Sequence, residues 1–274
     1  MKNHNSKVIS DFGDEWSRFD QSNLSESELR VIFNEYFSIF PWEKINKKSI
    51  GFDLGCGTGR WAKFVAPKVA ELICVEPSKA IEVAKDNLSK FKNCSFRNEL
   101  LENLSIDDAS MDFGYSLGVL HHIPNTQIAL KQCTAKLRKG APFLIYLYYR
   151  FDNKPLWYKA IWRLSEVLRF FISKLPKFLK FSITFFIALI IYFPLSRISL
   201  VFERLGFNVE NFPLNAYRNL SFYTMKTDAL DRFGTTLEQR FTKNEIYQMM
   251  TEAGLVNINF SSKKPYWCAI GFKK

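Results

Sequence analysis

Apolar residues recur at helical spacing through residues 25–40, at Leu29, Ile32, Phe33, Tyr36, Phe37 and Phe40, and Pro41 stops the run. Ser25 with Glu28 three residues on predicts a capping box at its start. The period then changes. Short apolar runs at 49–54, 72–75, 94–96, 111–117 and 142–148 read as strands. Helical patterns fall between them. Pro77 suits the first position of one helix, whose inner face is Ala80, Val83, Ala84 and Leu88. Pro124 opens another, through Ile128, Ala129, Cys133 and Leu137, with a stop at Lys139-Gly140. Strand–helix alternation of this kind predicts a parallel sheet covered on both faces. It lapses after Arg150 and returns at Thr242, which forms a second capping box with Glu245 ahead of a helix closed by Gly254. Two last strands, 256–260 and 266–272, are separated only by a short turn, so they must be antiparallel neighbours. The expected layout is an N-terminal helical lid (1–48), a sheet core (49–150 and 236–274) and a helical cap or acceptor insertion (151–235).

The densest chemistry lies at the end of the first strand, in Phe52-Asp53-Leu54-Gly55-Cys56-Gly57-Thr58-Gly59. Glycines directly after a strand permit a tight turn and a close approach of ligand to backbone. Glu76 ends the next strand, where an acid receives ribose hydroxyls. Dinucleotide folds share both features, but their loop is GxGxxG, whereas this one is GxGxG. A pyrophosphate also has no use for Asp53 at the strand tip, while a ligand ammonium group does.

This stretch resembles the DxGxGxG motif of class I S-adenosylmethionine-dependent methyltransferases, followed by their ribose-binding acid. Glu102-Asn103-Leu104, 107–112 and Ser116-Leu117-Gly118-Val119-Leu120-His121-His122-Ile123 resemble later landmarks of the type 11/12, ubiquinone-methyltransferase-like branch. The resemblance implies an α/β fold with a Rossmann-like seven-stranded sheet. That sheet is mostly parallel with an antiparallel last strand, and a mainly helical insertion separates strands 5 and 6. It also implies S-adenosyl-L-methionine as cofactor. Asp53, Gly55, Cys56, Gly57 and Gly59 would hold its methionine part with Leu117 alongside, Glu76 the ribose, and Leu101 and Glu102 the adenine.

Methyl transfer from a sulfonium is an in-line displacement, so positioning carries most of the catalysis. A base is needed only for an acceptor that must lose a proton. His121 and His122, following the fourth strand, are the candidates, and their alternative role is packing under the next helix. The Asn/Asp-Pro-Pro-aromatic run of nucleobase amine methyltransferases is replaced here by Ser-Leu-Gly-Val, which disfavours nucleic acid as acceptor. A small-molecule, lipid-linked or glycan-linked acceptor is expected. The competing functions are a nicotinamide-dependent oxidoreductase, against which the loop spacing argues, and a catalytically silent S-adenosylmethionine-binding partner or regulatory module.

Composition adds two points. Five scattered cysteines and three histidines predict reduced thiols, a cytoplasmic setting and no metal site. The formal charge of +11 is concentrated, because residues 154–204 hold nine Lys and Arg against Glu166 and Glu203. Within that stretch Trp157, Ile161, Leu164, Leu168, Phe171 and Leu175 repeat at helical spacing, and 181–195 carries no charge but has Pro194 near its end. A spanning helix needs roughly twenty apolar residues. Three roles compete for 154–204: a cap packed on itself, a peripheral contact with the inner membrane surface, and, least favoured, a nucleic-acid surface. Tyr217, Arg218, Asp228, Asp231 and Arg232 are acceptor candidates, with internal salt bridges as the alternative. The aromatics Phe12, Trp16 and Phe19 are expected to close over the cofactor as a lid.

Overall fold

The computed structural model describes residues 3–21 and 24–274. The chain divides into two compact units, one holding 29–150 and 237–274 with the N-terminal segment, the other 151–236 with the short segment before Leu29.

The first unit is built on a seven-stranded sheet of order β3-β2-β1-β4-β5-β7-β6. Its strands are β1 (Ile50–Leu54), β2 (Glu71–Val75), β3 (Cys94–Arg97), β4 (Phe113–Leu117), β5 (Pro142–Tyr146), β6 (Leu255–Phe260) and β7 (Cys268–Lys273). Strands β1 to β5 run parallel, and β7 is antiparallel to both β5 and β6, as the sequence predicts. The central strands are buried on both faces, which is why they read as unbroken apolar runs. Two glycines let β1 and β4 pack. Gly51 lies opposite Phe113 and Phe52 opposite Gly114, and a Cβ on either glycine would stand within 2.4 Å of the facing ring.

Helices α1 (Ser6–Arg18), α2 (Glu26–Tyr36), α3 (Ala62–Val65), α4 (Ala80–Asn87), α5 (Thr126–Ala135) and α10 (Lys243–Glu252) accompany these strands. Pro77 does not open α4. It lies in the turn before it, and the helix begins three residues later at Ala80. The Thr242–Glu245 capping box is complete. At α2 only half forms: Glu28 N–H donates to Ser25 Oγ, while the Glu28 carboxylate instead accepts from Ser221 and Thr224 at the start of α9 (Phe222–Gly234).

The second unit contains α6 (Leu156–Ile172), α7 (Lys177–Ile187), α8 (Phe193–Arg204) and α9. A π turn, Ala188–Tyr192, joins α7 to α8, so the helix does not stop at Pro194 but runs from Lys177 to Arg204. The wider turn accommodates a proline that has no N–H to give. Ile172, Ala188, Tyr192, Met225, Ala229 and Phe233 form this unit's own core.

Candidate functional site

Strand order reverses between β1 and β4, and the carboxyl ends of the strands on either side of that reversal open into a cleft. It encloses about 850 Å³ with the open solvent at its mouth included. Its walls come from four strand ends: Leu54 and Gly55 after β1, Glu76 and Pro77 after β2, Glu99–Glu102 after β3, and Gly118, Val119, His122 and Ile123 after β4.

The glycine loop has a backbone that other residues adopt at a cost. Gly55, Gly57 and Gly59 have φ of +73°, +54° and +78°. At Gly55 a Cβ would also lie 2.4 Å from Val119 Cγ2, so the β1 and β4 tips meet only because it is absent. Gly118, with φ +78°, has open space around a Cβ. Two costs therefore separate. Gly118→Ala should lose only the left-handed penalty, roughly 1–2 kcal/mol, whereas Gly55→Ala adds a steric clash. Chemical denaturation of both variants checks this. Equal destabilisation would remove the Val119 contact from the account.

Two buried acids stand beneath the loop. Glu76 accepts Gly57 N–H at 3.2 Å on one carboxylate oxygen and Ser78 N–H at 3.0 Å on the other, so it is aimed by backbone on both sides. Burial raises its pKa, against the lowering effect of these Ser78 and Gly57 bonds. Asp53 is 1% exposed, and its Oδ2 has no hydrogen-bond partner among the described residues. Burial pushes its carboxyl up to about 7. The Tyr115 hydroxyl opposes the shift, Glu76 adds to it and Arg60 opposes it. A buried acid with one unmatched oxygen beside a second buried acid calls for a cation.

Helix α1 covers the cleft from above. Asn5 caps it by accepting from Lys7 and Val8 N–H, and Val8, Ile9, Phe12 and Trp16 then face the cleft at helical spacing. Two anchors hold it: His4 Nδ1 lies 2.7 Å from Glu102 Oε1, and the Asn3 side chain donates to the Asn125 carbonyl at 3.0 Å and accepts from Asn125 N–H at 2.8 Å. Further along, Lys79 pairs with Asp14 at 2.5 Å.

The structure sorts the sequence candidates. Of the residues expected to hold a cofactor, Gly55, Glu76, Leu101 and Glu102 line the cleft, while Asp53, Cys56, Gly57, Gly59 and Leu117 stand behind that wall in the loop and strand tips. His122 lines it, with Nδ1 2.7 Å from the Leu237 carbonyl. A carbonyl can only accept, so Nδ1 carries the proton and Nε2 is the basic nitrogen. His121 does not line the cleft. It is fully buried, stacked on Tyr148 at 3.9 Å, and burial holds its pKa well below the usual imidazole value. Phe12 and Trp16 are cleft residues and Phe19 is not. The sequence reading missed Asn3, His4, Asn5, Val8 and Ile9, for which the Asn5 cap and the 8-9-12-16 spacing were the available signals. It also missed Gln132, whose buried Oε1 has no partner among the described residues.

The acceptor candidates belong to the helical unit. Arg218 makes a two-pronged ion pair with Glu203 at 2.7 and 2.8 Å, and Arg232 pairs with Glu166. Tyr217 packs on Tyr192, Asp231 faces Thr235, and Asp228 lies on α9. For the two arginines the internal salt-bridge role is the one observed.

Residues 52–145 match the family described as methyltransferase domain. No curated protein matches the chain by sequence. Several solved structures share the fold. One is a chain of the Haloferax volcanii complex between the Trm112 methyltransferase activator and a methyltransferase, with 12% identity, TM-score 0.55, and 95% of this chain and 96% of that one covered. Another is a Thermotoga maritima protein described as a SAM-dependent methyltransferase, with 15% identity, TM-score 0.53, and 96% and 100% covered. A third is a Methanosarcina mazei protein described in the same terms, with 15% identity, TM-score 0.51, and 86% and 98% covered. At these identities they speak for the fold alone. The motif, the strand order and the family match agree: residues 52–145 are similar to a methyltransferase domain, and the sheet unit has the fold of these methyltransferase structures.

Proposed function

We propose that this cleft binds S-adenosyl-L-methionine and that the chain transfers its methyl group to a small-molecule or lipid- or glycan-linked acceptor. The observation that carries the reading is the pair of buried acids, Asp53 and Glu76, under a loop of left-handed glycines. S-adenosylmethionine brings an ammonium and a sulfonium to such a site, whereas the pyrophosphate of a nicotinamide dinucleotide would bring negative charge to two carboxylates. When bound, the cofactor supplies a methyl group already activated for displacement.

The protein's own part is to hold and to exclude. Asp53 receives the ammonium, Glu76 the ribose hydroxyls, and Leu101 with Glu102 borders the adenine. Gln132 Oε1 offers an acceptor for an exocyclic amine in the same wall. Helix α1, tied down through Asn3 and His4, keeps water from the reacting centre. His122 takes a proton through Nε2 where the acceptor has one to lose, and His121, stacked on Tyr148 outside the cleft lining, takes no part in that step.

Calorimetry with S-adenosylhomocysteine and NAD tests the cofactor, and binding of NAD alone would refute the proposal. A methyl-transfer assay over cell extracts separates an enzyme from a silent binding module. Once an acceptor is found, His122→Gln should lower turnover by about 10²-fold or more while leaving S-adenosylhomocysteine affinity within a few-fold. Unchanged turnover would remove His122 from the mechanism.

A further inference from the structure

The helical unit is patterned the wrong way round for water. Along the helix from Lys177 to Arg204 the buried positions are Lys180, Thr184, Ala188, Tyr192, Ser196 and Ser199. Lys180 Nζ donates inward to the Gly234 carbonyl at 2.9 Å, and Thr184 Oγ1 to the Lys180 carbonyl at 2.7 Å. Large apolar side chains such as Phe178, Phe186, Ile190 and Val201 point outward instead, and Ile190 is 66% exposed. Only 22% of the most apolar window of this helix is buried, so it is no core helix. Helix α6 repeats the pattern, with Leu156, Leu164 and Phe171 outward. Among the described residues, all but four of the exposed large hydrophobic side chains (Val31, Ile128, Tyr247 and Val256) lie between Leu156 and Phe207. Surface helices in water turn their apolar stripe inward, and exposed apolar area on this scale marks a contact surface. Small and polar residues between helices with apolar residues outside is the arrangement that hydrocarbon favours.

Charge selects the occupant. Arg163, Lys174, Lys177 and Arg204 are exposed around this surface, while the two acids of the stretch are held in ion pairs, Glu166 with Arg169 and Arg232 and Glu203 with Arg218. A second copy of the chain, meeting this face with its own, would set like charges against each other. An anionic headgroup layer neutralises them. We propose that the outward face of α6 and of the α7–α8 helix docks on an anionic phospholipid bilayer, its apolar side chains entering the acyl boundary and its four cations meeting phosphates.

The inference does not depend on the methyl-transfer reading, and S-adenosylhomocysteine calorimetry on the same samples keeps the two apart. The 274-residue chain is floated with phosphatidylcholine vesicles containing about 25% phosphatidylglycerol, and with phosphatidylcholine alone, at low and high salt. It should float with the anionic vesicles at low salt. Phe186→Glu with Ile190→Glu should lose at least tenfold in partition, with thermal unfolding and cofactor affinity unchanged. Lys174→Glu with Lys177→Glu should abolish the preference for anionic lipid. Protein that stays unbound at low salt overturns the proposal, as do Glu variants that float like the parent. A stable homodimer by light scattering, dissolved by Phe186→Glu with Ile190→Glu in a chain that ignores vesicles, would assign the face to a second copy.

Discussion

Replacing Glu76 with Ala is expected to weaken S-adenosylhomocysteine binding by more than about 100-fold. A charged carboxylate accepting a hydrogen bond contributes roughly 1.5–3 kcal/mol, and two ribose hydroxyls then amount to about two decades or more in Kd. The same substitution strips acceptors from Gly57 and Ser78 N–H, both buried, and each unmet donor costs about 1–3 kcal/mol. The apo variant should therefore unfold at lower temperature as well. Glu76→Gln isolates these effects. Its single carbonyl oxygen satisfies one backbone donor while its amide N–H₂ faces the other, so it should fall between the parent and Ala in both readouts. Calorimetric affinity within threefold of the parent for Glu76→Ala would dismiss the ribose assignment, whatever the change in stability.

Glu76 also shows how much of this site is legible in the amino-acid sequence. A carboxylate at a strand tip some twenty residues after a GxGxG loop is a local pattern, and local patterns survive into three dimensions because short strand-to-helix turns leave little freedom. For the same reason the parallel sheet followed from the strand–helix alternation and its antiparallel end from the brevity of the turn before β7, while the strand order is seen only in the fold. What failed to show were the contacts made across long sequence distances. His4 reaches Glu102 and Asn3 reaches Asn125, so the cleft's upper wall comes from a segment that no pattern joins to the strands. The two adjacent histidines split for a similar reason. On a short turn neighbouring side chains diverge, so His122 meets the cleft and Leu237 while His121 turns under Tyr148. In the helical unit the apolar period was plain, but period alone does not say which side is solvent. Only the burial of Lys180, Thr184 and Ser196 reverses the usual assignment.

Asp53→Asn tests the remaining acid through its pH dependence, and the sign of that dependence is the decisive part. In the unliganded fold the Asp53 carboxyl sits at about 7, against a usual 3.8, chiefly because it is buried. The folded chain thus holds a proton that the unfolded chain releases between those values. Its contribution to stability is complete below about pH 4 and is lost as pH rises to about 7. Three pKa units correspond to roughly 4 kcal/mol as an order of magnitude. Glu76, also raised by burial, pulls the same way. The apo protein should accordingly be more resistant to urea at pH 5 than at pH 8, and Asp53→Asn should remove the larger part of that slope. Ligand affinity must run in the opposite sense, because an ammonium is received by the ionised carboxylate. Between pH 8 and pH 6 the ionised fraction falls about tenfold, so S-adenosylhomocysteine Kd should rise by about the same factor. In Asp53→Asn the Kd should be raised throughout and nearly flat with pH. A parent Kd that does not change over this range, or a variant that keeps the full pH slope in urea, would place the ammonium elsewhere. Stability and affinity moving in opposite directions with pH, through one side chain, is an outcome that a merely structural aspartate would not produce.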